Sequence, residues 1–205
     1  MKIIILDFET SGLNPYHDDI IEIAMKVMGS DKQYTALLRP KSNEMISETI
    51  TNLTGITNKI LKEKGLSWEE AYKSANDWLL SVIDKDDSIA IVSHNGESFD
   101  FIFLRRLFYD LKELGIKTPS IHKIIFIDTL LLTKRLIPGR SSYRQSTLCF
   151  QYNIDIEGSH RAMNDVIALE QLFIVYAEQL NKQLNKRRNV FDHPQMIQDY
   201  THYRI

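Results

Sequence analysis

The strongest constraint on the fold is a short apolar run near the N-terminus, residues 3–6, which leads directly into two acidic residues, Asp7 and Glu9. Such an unbroken apolar run predicts a strand that is buried on both faces and therefore lies inside a sheet. Side chains two residues apart on a strand share a face, so both carboxylates should point the same way. They are either a solvated or salt-bridged pair, or part of a divalent-cation site that relieves both burial and repulsion.

Apolar periodicity and capping residues divide the rest of the chain into strands followed by alternating strands and helices. A turn at Gly29 joins two segments into an antiparallel meander. Ser67, with Glu70 three residues later, forms a capping-box pattern, and Asp128 can cap another helix. This order predicts an α/β fold with helices packed on a mixed sheet. The other predicted strands are 20–28, 33–38, 88–93 and 124–127, and the long helices are 98–114 and 161–180.

Composition and charge exclude several classes of protein. Lys and Arg number 25 against 27 Asp and Glu, so the net charge of −2 gives no strong overall field toward nucleic acid or membrane. No apolar run approaches the roughly 18 residues that span a bilayer, and the N-terminus lacks the pattern of a signal peptide. The single cysteine, Cys149, excludes an internal disulfide and a cysteine-based zinc site. We expect an intracellular protein, cytoplasmic or nuclear, with no membrane partner.

The domain organisation follows from the absence of any linker or repeat in the sequence. We predict one domain over residues 1–180 and a basic and aromatic tail over residues 181–205. The tail contains Phe191, Tyr200 and Tyr203, which lead us to expect that it docks on the domain.

Two further acids extend the pattern begun by Asp7 and Glu9. Asp100 and Asp165 each stand at a predicted helix start, where a lone acid is explained by the helix dipole. Four carboxylates from two strand positions and two helix starts, however, suit a pair of Mg²⁺ or Mn²⁺ ions. His160 precedes Asp165 by five residues and should lie on the loop before the last long helix.

At this point the chain resembles the DEDD exonucleases, the superfamily of the proofreading subunit of bacterial DNA polymerase III. Three segments match its motifs in order: residues 7–13, 94–101 and 160–165. His160 five residues before the last acid places the resemblance in the histidine branch, since Arg161 stands where the other branch has tyrosine. The spacing of the second motif is similar to that of the three-prime repair exonucleases. The resemblance covers roughly residues 2–175 and implies a ribonuclease H-like, five-stranded mixed sheet with helices on both faces.

The resemblance implies a metal-dependent 3′–5′ exonuclease that releases nucleoside 5′-monophosphates by a two-metal-ion mechanism. Asp7 would bridge both ions, and Glu9 and Asp165 would hold the ion that binds the attacking water. Asp100 would help to position the second ion. His160 would act as the general base, since its ordinary pKa of roughly 6.5 suits that role near neutral pH.

Candidate substrate contacts come from the same resemblance and from charge. Leu13 is expected to wedge against the terminal nucleotide or else to cover the core, and Phe99 to touch the strand or else to be core. Glu22 follows a family landmark and either satisfies a neighbour or supports the site. Residues 129–154 carry four basic residues and no acidic one, which predicts a track for a nucleic-acid backbone. The expected substrate-binding residues are Thr10, Leu13, Asn95, Phe99, Arg140 and Arg144.

The sequence constrains the substrate and the partners less than it constrains the reaction. Single-stranded DNA or a 3′ overhang is the expected substrate, and an exoribonuclease of the same branch is the alternative, because the choice depends on contacts to the 2′-OH. A binding module without catalysis is a rival of another class, although such a module would be expected to lose ligands. A homodimer or a polymerase partner is compatible with the sequence.

Overall fold

A computed structural model describes residues 1–83, 88–156, 161–184 and 189–202 of the 205-residue chain. Its centre is a five-stranded sheet in the order β3-β2-β1-β4-β5. The pairs β1–β2 and β2–β3 are antiparallel, and β1–β4 and β4–β5 are parallel. The mixed sheet expected from the sequence is confirmed. The strands are β1 (Lys2–Thr10), β2 (Ile20–Val27), β3 (Gln33–Leu37), β4 (Ile89–Ser93) and β5 (Ile124–Asp128).

Eight α-helices surround the sheet in the part of the chain that the structure describes. The cap at Ser67 is confirmed, with its side chain and that of Glu70 exchanging hydrogen bonds with each other's backbone N–H. Asp128 caps α5 through Leu130 N and Leu131 N. The helices are α1 (Glu48–Thr54), α2 (Asn58–Lys64), α3 (Trp68–Val82), α4 (Asp100–Glu113), α5 (Thr129–Leu136), α6 (Gln145–Gln151), α7 (Ala162–Leu184) and α8 (Gln195–His202).

The helix predicted over 98–114 begins two residues later than expected. Residues Gly96–Ser98 form a single 3₁₀ turn, and Phe99 adopts a non-helical conformation with φ −142° and ψ −88°. The turn is held from outside, because the Asp128 carboxylate accepts hydrogen bonds from Asn95 N (3.1 Å) and Glu97 N (3.0 Å). The chain therefore changes direction before α4, and Asp100 becomes the first residue of that helix.

Helices pack on both faces of the sheet, as the resemblance implied. Alternate residues of β1 enter two separate cores: Ile4 and Leu6 on one face, Ile3 and Ile5 on the other. The first core is completed by α3 and α4, and the second by α5, α7 and α8. Burial on both faces explains why this strand reads as an unbroken apolar run.

The C-terminal helix covers one edge of the sheet. Ile197 of α8 is fully buried in the second core, and Gln198 Nε2 donates to the Phe126 carbonyl of β5 at 3.2 Å. Pairing or covering an edge strand removes a template for aggregation. The preceding helix α7 continues to Leu184, past the predicted domain end at residue 180. Among the described residues, no helix is both long and apolar enough to cross a membrane.

Candidate active site

Three carboxylates converge where the central strand ends. Asp7 and Glu9 lie on the last part of β1, and Asp165 lies in the first turn of α7. One oxygen from each lies within 4.8 Å of the others, and all three side chains are partly exposed to a cleft of about 700 Å³. We call these three residues the acidic cluster. The same-face placement predicted for Asp7 and Glu9 is therefore present, together with a third acid from a distant helix.

Asp100 lies beside the acidic cluster but is engaged by the protein itself. It is buried, and its Oδ1 accepts from Phe8 N at 3.2 Å while Oδ2 accepts from Ser93 Oγ at 2.6 Å. Burial raises the pKa of Asp100 to about 7 against the opposing effect of these two hydrogen bonds. Asp100 thus ties the end of β4 to β1, and its role as a metal ligand stays a prediction.

The carboxylates of the acidic cluster repel one another when they are ionised. Burial and the neighbouring carboxylates raise the pKa of Asp7 well above its ordinary value. Burial raises the pKa of Glu9 to about 8, with further contributions from the charges of Asp165 and Glu22 and an opposing one from Arg161. Protons or a cation would relieve this repulsion. Because the converging atoms are hard oxygen donors, the residues present fit a divalent cation such as Mg²⁺ or Mn²⁺.

Glu22 faces the acidic cluster from the neighbouring strand. It lies directly opposite Glu9 in the β1–β2 pairing and is almost fully buried. Its carboxylate accepts hydrogen bonds from the Arg161 guanidinium and from Ala162 N. Glu22 therefore satisfies a neighbour at the start of α7, and its support of the site stays a prediction.

The predicted general base cannot be placed. His160 lies outside the described residues, which resume at Arg161. Its role stays a prediction from the sequence.

The cleft is also lined by a segment that leads into α6. Its lining residues include Lys134 of α5 and residues 142–146, which together we call the loop wall. Gln145 Nε2 donates to the Asp165 carbonyl at 3.0 Å and to Asp165 Oδ1 at 3.3 Å. The loop wall is thus bonded directly to one member of the acidic cluster.

His94 holds the loop wall against the sheet. Its Nε2 lies 2.8 Å from the Tyr143 carbonyl, and its Nδ1 lies 2.9 Å from Thr129 Oγ1. Because a carbonyl only accepts, Nε2 carries the proton, and in a neutral ring Nδ1 is then unprotonated. Burial lowers the pKa of His94, which favours this neutral form. His94 therefore acts as a fixed support for the segment that faces the acidic cluster.

The predicted substrate-binding residues fall into different environments. Asn95 and Arg144 line the cleft. Arg140 is not among the described lining residues, and its guanidinium instead bonds the side chain of Gln151. The substrate roles of Asn95, Arg140 and Arg144 therefore stay predictions.

The remaining candidates follow β1 and precede α4. Thr10 is buried, and its Oγ1 donates to the Gly12 carbonyl at 2.6 Å. Leu13 is 82% exposed, so it does not cover the core. Phe99 packs edge-on to Phe103 with ring centroids 5.1 Å apart, so it does contribute to the core.

Two supporting residues were not recognised as such from the sequence. Gln145 carries no motif that links it to Asp165, and nothing in its neighbourhood predicts the contact. The sequence predicts Asp128 as a helix cap and as part of a family landmark over residues 127–130, whereas its carboxylate also fixes the turn that contains Asn95. A buried Asp placed between a strand and a helix is the signal that could have suggested this second role.

The chain is similar to known exonucleases and DNA polymerases. A family model described as exonuclease matches residues 4–173. The chain is 34% identical over 181 residues to the PolC-type DNA polymerase III of Ureaplasma parvum, covering 86% of this chain and 12% of that protein. For the PolC-type DNA polymerase III of Thermotoga maritima, the identity is 35% over 182 residues, covering 87% and 12%. This chain therefore spans only about an eighth of the length of these relatives.

The fold has a solved counterpart. The crystal structure of E. coli Exonuclease I in complex with a dT13 oligonucleotide superposes with a TM-score of 0.72 at 19% identity, over 90% of this chain and 42% of that one. The mixed sheet with helices on both faces is thus of the ribonuclease H-like class. Within that class, the chain belongs to the exonuclease family, which confirms the resemblance seen in the sequence.

Proposed function

We propose that this chain is a metal-dependent 3′–5′ exonuclease that removes nucleoside 5′-monophosphates from single-stranded DNA. The observation that carries the proposal is the acidic cluster, in which three carboxylates from β1 and α7 meet within 4.8 Å in an open cleft. A protein gains no stability from gathering like charges at partly buried positions, so such an arrangement indicates a functional site.

The acidic cluster is proposed to hold the metal. Asp7, Glu9 and Asp165 would bind divalent cations, with Asp100 contributing to a second ion as the family resemblance implies. When bound, Mg²⁺ or Mn²⁺ would supply a Lewis acid for the phosphodiester and lower the pKa of a water molecule. That the bound metal is Mg²⁺ or Mn²⁺ is part of this proposal.

The remaining roles are proton transfer and substrate binding, and we assign both to side chains of this chain. His160, as the proposed general base, would accept the proton of the attacking water. Lys134 and Arg144 of the loop wall are exposed cations that line the same cleft as the acidic cluster, and they would bind phosphates of the strand. Thr10, Leu13, Asn95 and Phe99 would contact the terminal nucleotides, and Arg140 would extend the basic track.

Single-stranded DNA is the favoured substrate. Exonuclease I, whose fold this chain shares, was crystallised with a DNA oligonucleotide, and the PolC-type relatives are DNA polymerases. We further propose that residues 1–180 form the catalytic domain and that residues 181–205 dock on it. The domain either acts alone or as a homodimer, or it serves a polymerase partner.

The test uses DNA and RNA oligonucleotides of one sequence, each labelled at the 5′ end, with Mg²⁺ or Mn²⁺. We expect DNA to shorten stepwise from the 3′ end. Asp165→Asn should abolish shortening, whereas Asp77→Asn, which removes an exposed carboxylate on α3 that is not among the cleft-lining residues, should not. Shortening of RNA alone would move the substrate to RNA, and no shortening of either strand would contradict the proposed activity.

A further inference from the structure

Two ion pairs join the same strand to the same helix. Near the acidic cluster, Glu22 of β2 pairs with Arg161 at the start of α7, with Nη2 and Oε1 2.7 Å apart. Further along both elements, Lys26 of β2 pairs with Glu170 of α7, with Nζ and Oε2 2.6 Å apart. The chain thus contains two comparable links between β2 and α7, of which only one adjoins the cleft.

The Glu22 link is a three-donor arrangement. Arg161 reaches Glu22 with a fork, Nη2 at 2.7 Å from Oε1 and Nε at 3.2 Å from Oε2. Ala162 N adds a third hydrogen bond to Oε2 at 3.1 Å. The Glu22 side chain is only 3% exposed, whereas that of Arg161 is 50% exposed. Both Glu22 oxygens are therefore engaged by α7.

This link connects the two halves of the acidic cluster. Glu22 lies opposite Glu9 across the β1–β2 pair. On the other side, the Arg161 carbonyl accepts from Asp165 N at 3.2 Å, so the residue held by Glu22 also forms the first turn around Asp165. Any shift of Arg161 relative to β2 would change the spacing between Glu9 and Asp165.

We propose that Glu22 and Arg161 are a positioning pair that sets the distance between the metal-binding carboxylates of β1 and α7. This inference rests on the proposed function for its catalytic consequence, but not for its effect on metal binding. The pair acts through the geometry of the guanidinium fork. Glu22 is not one of the carboxylates that converge within 4.8 Å, and both its oxygens accept hydrogen bonds from Arg161 and Ala162.

Charge and geometry predict opposite effects when Arg161 is neutralised. Arg161→Gln removes a positive charge beside the acidic cluster, so electrostatics alone would make Mn²⁺ bind more tightly. Loss of the fork instead lets Asp165 move relative to Glu9, which would weaken Mn²⁺ binding. Arg161→Lys keeps the charge but cannot form the planar fork. Ala162 N still donates to the Glu22 carboxylate in both variants, and urea unfolding checks that each variant is folded.

The experiment measures Mn²⁺ binding to the metal-free protein by isothermal titration calorimetry, together with kcat and KM on single-stranded DNA. We expect Arg161→Gln and Arg161→Lys each to lose about tenfold in Mn²⁺ affinity and in kcat, with KM within about twofold of the wild type. Glu170→Gln breaks the other link between β2 and α7. It should lower the urea midpoint while leaving Mn²⁺ affinity and kcat unchanged.

Each alternative outcome has a defined meaning. Tighter or unchanged Mn²⁺ binding in Arg161→Gln would overturn the positioning role, as would full recovery of wild-type affinity and kcat in Arg161→Lys. An equal loss of Mn²⁺ affinity in Glu170→Gln would also overturn it, because the effect would then follow general stability. If the wild type binds Mn²⁺ but cuts no DNA, the proposed function fails while the affinity comparison still tests the pair.

Discussion

Strand β2 and helix α7 are joined by an ion pair at each of two ends, and the charges around the two ion pairs are arranged differently. At the Lys26–Glu170 end, opposite charges lie 2.6 Å apart and Gly29 N adds a hydrogen bond to Glu170. At the other end, Arg161 pairs with Glu22, while the like charges of the acidic cluster converge beside this pair and burial raises the pKa of Glu9 to about 8. The same two elements thus support stability at one end and, we infer, cation binding at the other. This difference predicts that substitutions at the two ends change different properties.

The largest expected effect is the loss of activity in Asp165→Asn. We expect kcat to fall by roughly a thousandfold, which corresponds to about 4 kcal/mol of transition-state stabilisation. Because one like charge is removed, the metal-free variant should at the same time be more stable than the wild type toward urea. Steady-state kinetics and urea unfolding in EDTA measure the two properties. A variant that loses activity and stability together would contradict the idea that this end is strained by its charges.

The second prediction concerns pH. The pKa of Glu9 is about 8 in the folded protein and 4.5 ordinarily, so between these values the folded state binds more protons than the unfolded state. The free energy of unfolding of the metal-free protein should therefore fall as the pH rises from about 5 to 8, by up to about 1.4 kcal/mol per unit. Urea unfolding in EDTA at several pH values measures this slope.

The control for that slope is Glu9→Gln, which removes the titrating group. Its dependence on pH should be shallower than that of the wild type. If Glu9→Gln keeps the wild-type slope, the titration belongs to another group and the electrostatic account of Glu9 is wrong. Saturating Mn²⁺ should flatten the wild-type slope, because a bound cation favours the ionised carboxylates.

At the other end, Glu170→Gln should affect stability alone. The Lys26 and Glu170 side chains are only 15% and 11% exposed, so the variant leaves a largely buried ammonium without its counter-ion. We expect a loss of roughly 2 kcal/mol in the free energy of unfolding, with kcat unchanged. Urea unfolding and kinetics check both. A fall in kcat at a temperature where the variant is fully folded would contradict the separation of roles between the Lys26–Glu170 end and the Glu22–Arg161 end.

The smallest expected effect is that of Arg144→Ala on the loop wall. Its side chain is exposed, so folding should be unaffected and KM for single-stranded DNA should rise a few-fold. Removing one phosphate contact should also reduce the slope of log affinity against log salt by about 0.7. Binding to a catalytically inactive variant at several salt concentrations measures this. Lys73→Ala, an exposed lysine on α3, is the control, and an equal change there would indicate a non-specific charge effect.

Local patterns were sufficient for the sheet and for two of the three residues of the acidic cluster, Asp7 and Glu9. The apolar run of β1 and the caps at Ser67 and Asp128 depend on residues close in sequence, so their physical basis can be recognised directly. The short helices α6 and α8 were not predicted, because helices of that length are stabilised by tertiary packing more than by their own sequence. Ile197, fully buried in the second core, illustrates such packing in α8.

The supporting contacts of the site were beyond sequence reasoning for a different reason. Glu22 and Arg161 are 139 residues apart, and Gln145 and Asp165 are 20 apart. Each contact depends on how β2, α6 and α7 are placed in space, and a Gln or Arg at those positions is equally suited to an exposed surface. The resemblance to a family supplied Asp100 and Asp165, whereas periodicity alone assigned them only to helix starts.

The hydrogen bond from Phe8 N to Asp100 has a consequence for the shape of the sheet. Strand β4 pairs with β1 only at Lys2–Ile5, so the second half of β1 extends past its parallel neighbour. There the Asp100 carboxylate takes the place of the missing strand by accepting the Phe8 amide. The projecting end of β1 therefore forms a step in the sheet, and the Asp100 side chain protects the backbone N–H of Phe8 there. Amide hydrogen exchange at Phe8 should report on this step directly, slow in the wild type and fast in Asp100→Ala, whether or not any substrate is present.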